Sequence, residues 1–282
     1  MATARRKLQS MVTSLASVAT LAQVVPLASG SSSLALPAFP TQSGAKVDRA
    51  FERVDALVRE HDQTDKIEPL QAAAKEIDEL AKASPNDYAA SWRRARVYHM
   101  LGEVVTKDDD KLELFQRAID AAKTAVKLKP NGVEGHYWLG GTYGRYGETK
   151  GKLKALSMID DIRSEMNTVI KLDPKYEDAG AYLILGKIDF ELPGLFGGNS
   201  KRAIEEYEQG LKLAPTNALM KLYLSDSYYD AGRKDEAKKL LEELMALKLD
   251  EHASHDARQA QREAKTSYEK HFGKKQQRFT ND

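Results

Sequence analysis

The 282-residue chain contains no cysteine. That excludes disulfides, a thiolate nucleophile, cysteine-ligated metal and a lipid anchor on an N-terminal cysteine. Aromatic residues are scarce at 7%, with two tryptophans, and there are nine prolines. Neither charge sign is in excess, since 43 Lys and Arg face 42 Asp and Glu. The balance implies no nucleic-acid partner and no strongly acidic one. Nucleotide-loop chemistry is missing as well. The pair Gly140–Gly141 has no downstream Gly-Lys-Ser/Thr and no preceding strand signal. Alanine, leucine, lysine and glutamate are prominent, a composition that favours helices.

The ends of the chain differ from its middle. Arg5, Arg6 and Lys7 form a basic head, followed by an apolar, small-residue run from Met11 to Ala28 and then GSSSLALPAFPTQSG. Basic head, apolar middle and polar end match a secretory signal peptide over residues 1–30, with cleavage near Gly30 or nearer Ala38. A disordered tail and an organelle transit peptide are the competing readings. Thr13, Ser14, Ser17, Thr20, Gln23 and Pro26 make the run a poor membrane span. The expected location is the periplasm or the exterior. Residues 31–45 read as a flexible linker, 46–265 as the folded domain and 266–282, ending KKQQRFTND, as a basic disordered tail.

Within 46–265 the apolar period is helical. Phe51, Val54, Leu57 and Val58 share one face, as do Leu70, Ala73, Ile77, Leu80 and Ala81. Three segments then share a register: AIDAAKTAVKLKPN from Ala118, IRSEMNTVIKLDPK from Ile162 and AIEEYEQGLKLAPT from Ala203. Each has small or apolar residues at offsets 0, 4 and 7 and proline at offset 12, namely Pro130, Pro174 and Pro215. IDELAKASPN is a shorter echo. A last unit from Ala237 has Leu249 at the proline position. A second kind of helix lies between these segments, containing Trp92, then Leu139–Gly140, Leu185–Gly186, and Leu224–Ser225 with Tyr228 and Gly232.

This register resembles the tetratricopeptide repeat. The expected fold is all-α, built of helical hairpins in a superhelix or a compact curved bundle. A small residue such as Gly140 or Gly186 in the first helix of a pair lets the second approach, and Ala118, Ala203 or Ala237 receives it. Proline ends the pair. Gly186 to Ala203 spans 17 residues where Ser225 to Ala237 spans 12, so ELPGLFGGNSKRAIEEY carries a five-residue insertion. Gly140 to Ile162 carries an excess of ten. In the shorter insertion Gly197 and Gly198 give the turn backbone freedom. Leu195 and Phe196 are expected to fold back onto the helices.

Two further resemblances follow. WRRAR, GHYWLGGTYGRYGETKGKL, IKLDPKYEDAGAYLILGKI, the interrupted segment and AIEEYEQGLKLAP, in that order, resemble the regulator-of-microtubule-dynamics family over roughly residues 45–250. That resemblance implies helical repeats that bind microtubules or organelle partners, with membrane anchors in some members. LPGLFGGNSKRAIEEYEQGL resembles the T-component of tripartite ATP-independent periplasmic (TRAP) transporters, matched at Pro193, Leu195, Phe196, Gly197 and Gly198. It implies an accessory component with an apolar cavity between helices and the 193–198 loop at its rim.

No catalytic constellation stands out, and neither a cofactor nor a metal site is expected. His252 and His255 lie three apart with Asp256 beside them, but a solvated helix face accounts for them. Asp108–Asp110 lack a calcium loop's distal glutamate and suit a helix N-terminus. The chain is expected to be no enzyme but a protein-interaction module. The residues expected to meet a partner are Arg96, His136, Tyr146, Lys187, Phe196 and Tyr229. Tyr143, Tyr182, Lys221, Asp226 and Trp92 lie on the same helices.

Overall fold

The computed structural model of the chain describes residues 42–250 and 253–273. Among these there are only helices and turns, no strands. The proposed signal peptide and the end of the basic tail lie outside the described residues, as does His252. The described residues through Thr168 form one compact unit and those from Val169 another.

The first unit contains α1 (Gln42–Thr64), α2 (Ile67–Ala83), α3 (Tyr88–Val104), α4 (Asp108–Leu128), α5 (Val133–Lys150), the short α6 (Lys152–Ser157) and most of α7 (Ile159–Leu172). The second contains the end of α7, α8 (Tyr176–Glu191), a 3-10 turn at Gly194–Phe196, α9 (Ser200–Leu213), α10 (Ala218–Asp230), α11 (Lys234–Met245) and α12 (His255–Phe272). Two segment boundaries differ from expectation. α1 starts at Gln42, inside the segment read as linker. α12 continues to Phe272, inside the segment read as tail, because Tyr268 and Phe272 pack against the second unit's core.

One rule sets the helix ends. α2, α4, α7 and α9 each stop two residues before a proline: Ala83 before Pro85, Leu128 before Pro130, Leu172 before Pro174 and Leu213 before Pro215. Proline disfavours the helical conformation of the residue before it, so the helix closes there. The chain then turns tightly. The N–H of Asp87, Gly132, Tyr176 and Asn217 donates to the carbonyl of Ser84, Lys129, Asp173 and Ala214 at 2.9–3.2 Å. Asp87 and Asn217 cap the next helix, accepting from the Ala90 and Met220 N–H groups. α11, with no proline to stop it, ends at Met245. The Gln261 side chain of α12 donates to the Leu247 carbonyl just beyond, at 2.7 Å.

Close approach between paired helices is built the same way in both units. A Cβ at Gly140 would lie 2.5 Å from the Met166 Cε and 2.9 Å from the Glu165 Cβ. At Gly186 it would lie 2.4 Å from the Tyr207 ring. Met166 and Tyr207 are fully buried, each four residues after Ile162 or Ala203. Ala118, Ala203 and Ala237 are likewise fully buried.

α8 begins irregularly. Glu177, Asp178 and Ala179 have φ of 49°, 49° and 59°, a left-handed turn before the helix proper. Such a conformation costs about 1–2 kcal/mol per residue. The Asn217 amide, besides capping α10, donates to the Asp178 carbonyl at 2.9 Å and holds this turn in place.

Candidate functional site

In the first unit, α3 carries three arginines in the run Trp92-Arg93-Arg94-Ala95-Arg96. Positions 93 and 96 face α1, where Asp55 accepts from both guanidinium groups, with the Arg93 Nη2 at 2.9 Å. Arg94 faces α2 and donates to Asp78 at 2.7 Å, and Asp78 also accepts from the Tyr98 hydroxyl at 2.6 Å. Half-buried Trp92 lies against two of these cations, with the Arg93 and Arg96 guanidinium carbons 4.2 and 5.1 Å from its ring centre. Arg93 also covers Phe51 at 4.8 Å. The result is an ordered patch of tryptophan and guanidinium whose geometry is fixed from beneath by one carboxylate. Arg96 itself is buried, not open to a partner as expected, because Asp55 draws it inward. Arg93 and Asp55 were not singled out from the sequence; the clue was a second arginine one turn before Arg96, facing an acid on the preceding helix.

α5 is joined to its neighbours by polar contacts. His136 is buried, its Nε2 2.8 Å from the Pro130 carbonyl and its Nδ1 2.5 Å from Glu165. It therefore links the turn before α5 to α7. His99 is wholly enclosed against Trp138 and Phe115. The Thr142 hydroxyl donates to the Trp138 carbonyl at 2.6 Å, so the His99 Nδ1–H donates to the Thr142 oxygen at 2.9 Å. Burial, aided by the nearby Arg145 charge, lowers the His99 pKa to about 3. Arg145 pairs with Glu103 of α3 and with Glu148. Tyr143 and Tyr146 are half-buried, and the Lys123 ammonium lies 5.8 Å from the Tyr143 ring centre.

The second unit places its expected site residues differently. Lys187 is buried, its Nζ 4.7 Å from the Tyr223 ring centre. Tyr229 is covered by α12, stacked on His271 at 3.7 Å and edge-on to Phe272 at 5.6 Å. Asp226 is 3.4 Å from the His271 Nε2, and Lys221 is 3.4 Å from Glu243. Tyr182 packs beside Gly210. Of the side chains expected to line an open face, Lys187 is buried, and Tyr229 and Asp226 lie against α12 instead.

The 191–200 segment also corrects an expectation. Leu195 is 88% exposed and Phe196 49% exposed, so neither folds back to plug the helices. The turn is held outward from behind. Arg202 pairs with buried Asp189 and donates to the Gly197 carbonyl at 3.0 Å. The Asn199 N–H donates to the Asp189 carbonyl at 2.8 Å, and the Asn199 side chain caps α9. Gly197 has φ of 86°, and a Cβ at Gly198 would meet the Leu192 carbonyl oxygen at 1.8 Å.

Among the described residues no group of His, Asp and Glu has metal-site geometry, and no helix is long and apolar enough to cross a membrane. A cleft of about 480 Å³ in the first unit has a largely polar wall, including Asp78, Glu79, Lys82, Ser91, Arg94 and Thr124.

Helix pairs closed by proline and packed through glycine define a tetratricopeptide-type repeat protein, and residues 198–261 match a tetratricopeptide repeat model. Residues 50–195, just over half of the chain, match the model described as Regulator of microtubule dynamics protein 1-3. The chain belongs to that family. It is 23% identical over 180 residues to Regulator of microtubule dynamics protein 3 of Rattus norvegicus, an alignment covering 58% of this chain and 37% of the relative. Among solved structures it shares its fold with TTC0263, a thermophilic TPR protein of Thermus thermophilus. The TM-score is 0.56 at 20% identity, covering 78% of this chain and 99% of that one. It is also similar to MamA protein, with a TM-score of 0.45 at 22% identity, covering 80% and 97%.

Proposed function

We propose that the chain is a non-catalytic interaction module whose first unit recognises a protein or peptide partner through the Trp92–Arg93 patch. The observation that carries this is the preorganised patch itself. Tryptophan and arginine are the residues most enriched at interface hot spots, and side chains already fixed before binding lose little entropy on binding. Membership of a helical-repeat family supports the same reading. A photo-crosslinking side chain at position 92 of the full chain, expressed in its native cell, tests it. Discrete protein adducts at 92, absent from the same probe at Ser84, are expected. Equal labelling at both positions would refute the patch.

The sequence of residues 1–30 supports a second element of the proposal, export to the periplasm or cell exterior. The rat relative is named for microtubule dynamics, and export would separate this chain from microtubules. Fractionation with N-terminal sequencing distinguishes the two: an envelope or secreted form beginning between residues 31 and 39 supports export, and a full-length cytoplasmic form overturns it. The alternative role, an accessory small-molecule component like the TRAP transporter T-component, rests on the 193–198 sequence. A ligand retained in native mass spectrometry of the purified chain would favour it.

A further inference from the structure

Each unit carries a turn from first to second helix that is longer than the repeat requires and that displays a large apolar side chain to solvent. In the first unit the turn holds α6. Leu153 there is 86% exposed, while Lys150, Lys152 and Lys154 beside it are also exposed. These three lysines form no ion pair among the described residues. The exposure is built into the turn. Gly151, at φ of 111°, reverses the chain out of α5. A Cβ at Gly147 would lie 2.9 Å from the Ala155 Cα, so α6 presses its Ala155 side onto α5, and Met158 is buried just beyond. With that side committed, Leu153 and its lysines are held outward. The nearest following acids, Asp160 and Asp161, open α7. Asp161 acts electrostatically on Tyr143, two helical turns back along α5 from Lys150. Neither forms an ion pair with these lysines among the described residues.

We infer that this turn docks the protein on an anionic lipid surface, with Leu153 entering the interface and Lys150, Lys152 and Lys154 meeting the headgroups. One protruding leucine offers little area to a protein partner, whose hot spots need an enclosing pocket. A bilayer interface accepts a single apolar side chain ringed by ammonium groups, since the acyl boundary takes the one and the headgroup charge the other. The second unit also presents Leu195 and Phe196 to solvent on its own braced turn, but there the neighbouring Lys201 pairs with Glu205 at 3.6 Å.

The absence of cysteine makes the test clean. In the full chain, Leu153→Cys carries a single environment-sensitive fluorophore. It is mixed with vesicles of phosphatidylcholine plus phosphatidylglycerol or of phosphatidylcholine alone. A blue shift with the anionic vesicles only is expected, with none for the same label at Ser84→Cys, on the turn between α2 and α3. Adding Lys150→Gln, Lys152→Gln and Lys154→Gln should weaken vesicle affinity on the order of 100-fold. An unshifted label at 153, an equal shift at 84, or undiminished affinity of the triple variant overturns the proposal. A label that shifts with polyglutamate but not with vesicles also overturns it, and assigns the turn to an acidic protein.

Discussion

The two units solve the same packing problem with different chemistry. In the first, consecutive first helices are joined by charge and hydrogen bonds: Asp55 with Arg93 and Arg96, Glu103 with Arg145, and His99 with Thr142. In the second, the interior between them is built mainly from Tyr207, Tyr223, Leu219, Met220 and Leu222, with Lys187 lying on a tyrosine ring, and the Asp226–His271 contact is the polar joint there. Residues 198–261 of the second unit match the general repeat model, and the specific family model runs over residues 50–195, from the first unit into the second.

The largest expected way to break this contrast lies in the first unit. Asp55→Ala leaves Arg96 buried without its carboxylate and should destabilise by about 3 kcal/mol or more, read by denaturant unfolding. Replacing Asp55 by Asn, which keeps an acceptor, should recover part of that. In the second unit the matching break is steric. Gly186→Ala drives a methyl into the Tyr207 ring and should cost about 1–3 kcal/mol, with hydrogen exchange rising in α8 and α9. A gain is expected at the left-handed turn. Asp178→Gly relieves the positive φ and removes a carboxyl whose pKa burial raises, stabilising by about 1 kcal/mol in thermal unfolding. The smallest effect belongs to the Tyr207 hydroxyl, which is buried with no hydrogen-bond partner. Tyr207→Phe should be neutral or stabilising by under about 1 kcal/mol.

How much of this was legible depends on the range of the interaction. The all-α repeat fold followed from local signals: proline at a fixed offset, a small residue opposite a large one, and a helical apolar period. Each acts within one helix or one turn. The pairing of Asp55 with Arg93 joins residues 38 apart, and several acids offered Arg93 an equal claim in sequence. Lys187 and Tyr229 read as surface residues by type, yet a tyrosine ring and α12 enclose them. Leu195 and Phe196 read as core by type, yet the Arg202–Asp189 pair and the Gly198 contact hold their turn outward. The left-handed start of α8 contains no glycine among its positive-φ residues and gave no local warning.

The contrast between units is tested most directly by acid. His99 has its pKa lowered to about 3 against 6.5 when exposed, so below pH 6.5 the unfolded chain binds a proton that the folded first unit refuses. Stability should fall by about 1.4 kcal/mol per pH unit in that range, roughly 2 kcal/mol between pH 7 and pH 5. In the second unit the raised pKa of Asp178 has the opposite sign, favouring the folded state as pH falls. The decisive measurement is native-state hydrogen exchange at pH 7 and pH 5, corrected for intrinsic rates, on the natural chain and on His99→Asn. Lost protection in α3, α4 and α5 of the natural chain, little loss in α9 and α10, and a flattened response in the variant are expected. Equal loss in both units, or an unchanged response in His99→Asn, would contradict it.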